Sequence, residues 1–272
     1  FSGLHKVRAI APATADDWRM VDDLLKGFAG RTHTGSPRAS AYHYSWGNDD
    51  RTKTYTGHPS ELAIIESFDS SLRHVSDTVH FLLPSRIALQ ERSADASVER
   101  LMEQALESMT SAAQVIKAAN RGGIDIAFVS YNLFPLFKAV EVSGKHFEGP
   151  NPSHTEFAVL DALILGNLLK SQEDSPTIRN LEYRLSDAPH FVRNLLFSDA
   201  ITTDTLTGLA KVAGNSTIQD LSRLIAKQSL HFKGPHKRMA DASLKVRGKV
   251  LSSEDPDLLS ELIERTKDAS RE

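Results

Sequence analysis

Apolar residues recur every three or four positions through Leu62, Ile65, Phe68, Leu72, Val75, Val79 and Leu82, and the run stops at Pro84. This spacing puts them on one face of an amphipathic helix of about six turns at 3.6 residues each, beginning near Ser60. A second helix is predicted over about 94–120, with Val98, Leu101, Ala105, Ala112 and Ile116 turned inward and Gly122-Gly123 ending it. Upstream, Thr14 is a candidate N-cap, and Trp18, Val21, Leu24 and Phe28 share one face as far as Gly30. From Arg31 to Gly57 no period is sustained among many Thr, Ser, Gly and Tyr residues. A loop of that length points to a functional segment.

Ile124 to Phe137 is apolar on every side and partly β-branched, so its period alone fits either a buried helix or a strand; the helical context predicts a helix. Gly144 to Pro152 reads as a loop. Ser153-His154-Thr155-Glu156 then matches the S-x-x-E capping box ahead of an almost wholly apolar helix over Phe157–Leu169. Ser175-Pro176 opens a further helix, and Ser186 or Asp187 caps the next, which carries His190 in its first turn. Ile218, Leu221, Ile225 and Leu230 mark a long helix interrupted at Gly234-Pro235, and Pro256 opens a short last one. These elements predict an all-α helical bundle, one domain spanning 1–272.

Composition narrows the chemistry. With 40% hydrophobic residues among 272, a core large enough to enclose a flat ligand is expected. A net charge of −3 without long Lys or Arg runs argues against nucleic acid as a partner. No stretch is long and apolar enough for a membrane span, and Phe1–His5 does not read as a signal peptide, so a cytoplasmic protein is expected. Cysteine is absent, which removes disulfides, thiolate nucleophiles, Cys-bound zinc, iron–sulfur clusters and thiolate-ligated haem. Iron, if present, falls to His, carboxylate, Tyr or Met, and the 11 His residues become the candidates. No H-E-x-x-H, calcium loop, P-loop or G-x-G-x-x-G after a strand appears. His231 and His236, straddling Lys233-Gly234-Pro235, read as a helix break rather than a ligand pair.

Two segments carry a resemblance. The stretch Gly149-Pro150-Asn151-Pro152-Ser153-His154-Thr155-Glu156 followed by Phe157–Gly166 resembles the loop and buried helix of the indoleamine dioxygenases, which end in a D-x-x-L-G-like sequence. Further on, Tyr183-Arg184-Leu185-Ser186-Asp187-Ala188-Pro189-His190-Phe191-Val192-Arg193 is similar to that family's Y-M-P-x-x-H-R segment. Order and spacing match over some fifty residues. The chain departs from the pattern in having Pro189 next to His190, Arg193 two places late, and Ser153-His154 where the family has small residues.

The resemblance implies a tryptophan 2,3-dioxygenase-like helical bundle around a b-type haem (heme b), with His190 as the iron ligand and a homodimer as the assembly. Physical chemistry gives His190 a suitable partner, since a ligating imidazole donates its second N–H to a carboxylate or carbonyl, and Asp187 stands nearby in sequence. The alternative is a histidine that only packs under a helix cap. His80, beside the apolar stripe of the strongest helix, is a candidate distal group that moves a proton during O–O cleavage; a satisfied core histidine is the competing reading. Ser153, His154 and Thr155 at a helix N-terminus suit a substrate carboxylate or a propionate, although a capping box alone also explains Ser153 and Glu156. Arg73, Arg184 and Arg193 are candidates to pair with propionates, Arg193 being the one assigned to the cofactor, and a solvated surface charge is the competing reading of each.

Within the superfamily, the length and the candidate distal His resemble the compact bacterial haem-dependent L-tyrosine hydroxylases of antibiotic pathways. The expected reaction is 3-hydroxylation of L-tyrosine to L-DOPA with hydrogen peroxide, or with dioxygen plus a reductant. A tryptophan or indole oxygenase is the alternative, favoured if His80 turns away from the pocket. A haem sensor or a haem-free helical binding protein is the reading from another class.

Overall fold

The computed structural model describes residues 54, 56–133, 140–142, 145–147, 155–166, 201–246 and 258–271. Helices α1 (Pro59–Gln90) and α2 (Ala96–Arg121) form a hairpin. A short helix α3 (Ile126–Phe128) runs into a π-helical turn (Val129–Leu133), and a ribbon of β1 (Val140–Val142) and β2 (Lys145–Phe147) follows. Then come α4 (Thr155–Leu165), α5 (Leu206–Ala213), α6 (Ser216–Val246) and α7 (Leu258–Ala269). The described residues are thus helical apart from one small ribbon. None of their helices is long and apolar enough to cross a membrane.

Helix α1 starts where its residues say it should. His58 has extended backbone and its Nδ1 accepts the Ser60 N–H at 3.1 Å, with Pro59 in the first turn. Its end differs from the expected stop at Pro84. The helix runs through Pro84 to Gln90, then closes with Arg92 at φ 59, Ser93 N–H donating to Ala88 C=O at 2.8 Å and Arg92 N–H to Leu89 C=O at 3.1 Å. An internal proline costs about 3 kcal/mol in a helix. Pro84 lies on the exposed side, where water can solvate the carbonyl it orphans, and the turn beyond it buries Ser85, Arg86 and Leu89.

Buried positions along α1 keep a seven-residue register: Ile65, Leu72, Val75, Leu82, Arg86 and Leu89 alternate spacings of three and four with the half-buried Phe68 and Val79. Ser71, Thr78 and Ser85 form a parallel stripe of small polar residues, each fully buried. Their hydroxyls are satisfied within the helix by Phe68, His74 and Phe81 carbonyls. On α2 the register falls on Val98, Met102, Ala105, Met109, Ala112 and Ile116, so Met102 and Met109, rather than Leu101, are the residues turned inward. Small side chains recurring on both partners let two backbones approach closely.

Helix α2 begins at the N-cap Asp95 and ends at Gly122-Gly123, as its glycines imply. The expected helix over 124–137 is realised as α3 and the π turn, with its last four residues outside the described set. It is not apolar-buried all round, because Tyr131 is 60% exposed and gives its hydroxyl to Val246 C=O. Part of the expected loop after Gly144 is the second strand of the ribbon, paired antiparallel with Val140 opposite Phe147. Helix α4 opens two residues before the expected span Phe157–Leu169 and ends at Leu165, followed by Gly166 at φ +86. Helix α6 passes uninterrupted through Gly234-Pro235, held there by the burial of Phe232, Lys233 and Pro235. The elements expected over 14–30, 31–57 and 175–200 lie outside the described residues, apart from the end of the loop at Thr54 and after Thr56.

One cluster of buried apolar residues joins α1, α2, α4, α5, α6 and the end of α7. Its most apolar member is α4, where Val159, Leu160, Ala162, Leu163, Ile164 and Leu165 are all buried.

Asp95 accepts hydrogen bonds from Ser97 Oγ, Ser97 N–H and Val98 N–H, and these hold its carboxyl below the usual carboxylate range. A depressed folded-state pKa gives stability that is present above the unfolded value, near ~3.9, and lost as pH falls through the folded value. Wild type should therefore exceed Asp95→Ala in stability at neutral pH, with the gap narrowing as pH is stepped below about 4 in urea-unfolding titrations. A gap independent of pH would remove the capping carboxylate as its cause.

Candidate functional site

Two buried cations among the described residues, Arg86 and Lys233, converge on α4. At its C-terminal end the Arg86 side chain enters from α1, fully buried at a position where the helix register calls for an apolar residue. Its guanidinium donates from Nη1 to Leu163 C=O at 2.7 Å, and from Nη2 to Thr202 C=O at 2.9 Å and Asp204 C=O at 2.6 Å. Nε has no partner. Burial pushes the guanidinium down to about 10, with the nearby Asp204 charge opposing the shift, so Arg86 stays a cation at neutral pH. Leu163 C=O is one of the last-turn carbonyls that a helix cannot pair internally, and Arg86 supplies its donor. With its bonded N–H groups on main-chain carbonyls, Arg86 acts as a fastener rather than as a ligand-binding cation.

Halfway along the same helix, Asp161 makes a buried ion pair with Lys233 of α6, with side chains 13% and 7% exposed. Lys233 Nζ also donates to Thr266 Oγ1 of α7 at 3.2 Å. A charge pair this shielded from solvent needs hydrogen-bond partners to offset desolvation, and Thr266 is one. The cluster joins α4, α6 and α7. Phe157, in the first turn of α4, packs edge-on to Phe68 of α1 at 5.9 Å and tilted against Phe232 of α6 at 5.5 Å.

Sequence-predicted site residues divide sharply. His190, Arg193, Ser153, His154 and Arg184 lie outside the described residues. Thr155 is the first helical residue of α4, which agrees with a helix N-terminus in that place. His80 is exposed on α1, its ring edge-on to Phe81 at 5.4 Å, and not on the side that carries Val75 and Leu82. The distal role expected of His80 therefore has no buried surroundings among the described residues. Arg73 is a solvated charge paired with Asp69 at 2.7 Å. His231 is exposed beside Gln228 and belongs to a continuous helix. His58 is occupied as the α1 cap and stacks on Phe128, ring centroids 3.7 Å apart. Among the described residues no group of three or more His, Asp or Glu could hold a metal ion.

Sequence reasoning passed over Arg86 because the apolar run was taken to end at Pro84. The signal was present: Arg86 stands four residues after Leu82 and three before Leu89, in phase with the core. Asp161 lies inside the D-x-x-L-G-like segment, but nothing in the sequence names Lys233 as its partner.

No protein-family model matches the chain, and no curated protein matches it.

The ion pair makes a specific prediction. Removing one partner strands a buried charge, at a cost of roughly 3–5 kcal/mol, whereas replacing both with apolar groups of similar size is close to neutral. Lys233→Met alone should lower unfolding stability by that amount in denaturant titrations, and Lys233→Met with Asp161→Leu should recover most of it. Additive losses in the double variant would mean that the two side chains contribute independently.

Proposed function

We propose that this chain is a haem-dependent oxygenase of an aromatic amino acid, with His190 as the iron ligand of a b-type haem. The observation that carries the reading is the ordered pair of segments 149–166 and 183–196, similar to the loop, buried helix and ligand segment of the indoleamine dioxygenases. Helix α4 supports it at one point. The stretch matched to the family's buried helix is helical over Thr155–Leu165, buried from Val159 onward except for the half-buried Asp161, and ends at a left-handed glycine.

The described part of the chain fits the haem only in α4. No described histidine side chain is buried: His58 and His74 are half-buried, and His80 and His231 are exposed. Iron ligation is assigned to His190, and propionate pairing to Arg193, by the resemblance of the segment 183–196 to the family's ligand segment. Bound haem supplies the oxidising centre. The protein supplies position: the substrate carboxylate is assigned to Ser153, His154 and Thr155, where the positive dipole end of α4, which starts at Thr155, favours an anion. Hydrogen peroxide or dioxygen is the second substrate. A cytoplasmic homodimer completes the proposal.

Two substrates divide this reading. L-Tyrosine hydroxylation to L-DOPA, in the manner of the antibiotic-pathway enzymes, is one, and it needs a polar distal group. The exposure of His80 favours the second, oxygenation of tryptophan or another indole, for which an apolar distal side suffices.

The test is direct. Wild type and His190→Ala are purified from haem-supplied cells, and ultraviolet–visible spectra are recorded before and after L-tyrosine, L-tryptophan and peroxide. A Soret band lost or displaced in the variant is expected. Catechol product assigns the hydroxylase, and a kynurenine-type product assigns the indole branch. Equal haem binding by both proteins takes His190 off the iron, and no Soret band in either leaves a haem-free helical protein.

A further inference from the structure

Helix α1 is capped by an imidazole where Ser, Thr, Asp or Asn is the usual choice. The Ser60 N–H donates to His58 Nδ1 at 3.1 Å, so Nδ1 is the bare nitrogen and the ring proton sits on Nε2. The same ring lies flat on Phe128 of α3, with centroids 3.7 Å apart and planes 13° from parallel. Two further bonds tie the start of α3 to the start of α1. Asp125 N–H donates to Oγ of the buried Ser60 at 3.0 Å, and Asp125 Oδ1 accepts the Phe128 N–H at 3.0 Å. His58, Ser60, Asp125 and Phe128 thus close a circuit of contacts in which each helix start holds the other.

An imidazole accepts this bond only while Nδ1 is unprotonated. A second proton would stand between two nitrogens that both carry hydrogen. It would also put a cation at the positive end of the α1 dipole, beside N–H groups that the helix cannot pair internally. Acidic neighbours pull the other way. Glu61, buried in the first turn of α1, accepts the Thr56 N–H on Oε2 at 2.8 Å, and Asp125 stands at the start of α3. The neighbouring elements also bring Lys117 and Arg121 at the exposed end of α2, Lys245 at the exposed end of α6, and Tyr131 of the π turn, whose hydroxyl is on Val246 C=O. Direct contact outweighs these more distant charges, because the added proton would sit on the nitrogen that faces the Ser60 N–H.

We propose that His58 is a proton-operated catch: neutral, it holds the starts of α1 and α3 together, and protonated, it releases them. By linkage, a released form that binds a proton which the held form excludes keeps the catch closed above the imidazole range, ordinarily near ~6.5, and opens it as pH falls through that range. The opening is local. Helix α3 and the π turn lose their hold on α1, while the α1–α2 core around Ile65, Met109 and Ala112 stays packed.

The test follows amide protection at Ser60, Asp125 and Phe128 and along α2, corrected for the pH dependence of intrinsic exchange, in wild type and His58→Asn from about pH 7.5 to about 5.5. Asn is as good a helix cap as Ser or Asp and carries no titrating group. Across that range, protection at the three amides should fall by roughly tenfold in wild type and stay level in His58→Asn, with α2 protected in both. Glu61, Asp125, His74 and His80 are intact in the variant, so a fall shared by both proteins overturns the catch. Level protection in wild type overturns it as well. A measurement on wild type alone covers a variant that misfolds: ring nitrogen-15 shifts should show Nδ1 without a proton at neutral pH, and the Ser60 amide resonance should move with the ring's titration. A proton on Nδ1 at neutral pH, or a Ser60 amide that ignores the titration, sinks the proposal.

Discussion

A single guanidinium, buried in a helix register that otherwise takes apolar residues, holds the described core in its arrangement. Arg86 reaches across α1 to the end of α4 and to the chain segment entering α5, and bonds to the carbonyls of Leu163, Thr202 and Asp204. The Leu163 carbonyl lies at the buried end of α4, where an unmet hydrogen-bonding group costs about 1–3 kcal/mol. The cation is itself desolvated, so its contribution is specificity of placement more than net stability. Gly166 belongs to the same device, because the junction closes only if no side chain stands between α4 and Thr203.

The Lys233–Asp161 pair solves a similar problem by a different route. Arg86 satisfies backbone groups at a helix end, whereas Lys233 meets a carboxylate midway along α4 and a hydroxyl on α7. Apolar packing brings α4 against its neighbours but is non-directional, so an all-Leu version of these contacts tolerates rotation and sliding. A lysine that must reach one carboxylate, and an arginine that must reach three carbonyls, each admit few positions of the helix. Together they locate α4 along its length, which matters if its N-terminus receives a substrate carboxylate.

Most of the helices were legible because apolar spacing is a local property. The start of α1 at Pro59, the span of α2 and its glycine stop, and the helical run from Ser216 follow from periodicity and capping residues. Pro84 and Pro235 were misleading for one reason. A proline removes one hydrogen bond and clashes locally, and that penalty is smaller than the burial gained by continuing a long helix into a core. The ribbon at 140–147 was missed because two three-residue strands are too short to display an alternating pattern. For the candidate site, the sequence supplied the loop–helix segment and His190, and it ranked His80 by its nearness to an apolar stripe. A helix turns through 100° per residue, so a neighbour of the stripe in sequence can lie well off it in space.

By itself, then, the sequence determined that this chain builds amphipathic helices, without cysteine chemistry. Only the tertiary structure decided where the buried charges go. The phase of Arg86 with the apolar stripe and the apolar setting of Asp161 mark them as inward-facing, but a charged side chain carries no local mark of its partner. The carbonyls that Arg86 reaches and the carboxylate that Lys233 reaches lie more than 70 positions away, and only packing of the helices brings the donors and acceptors within reach.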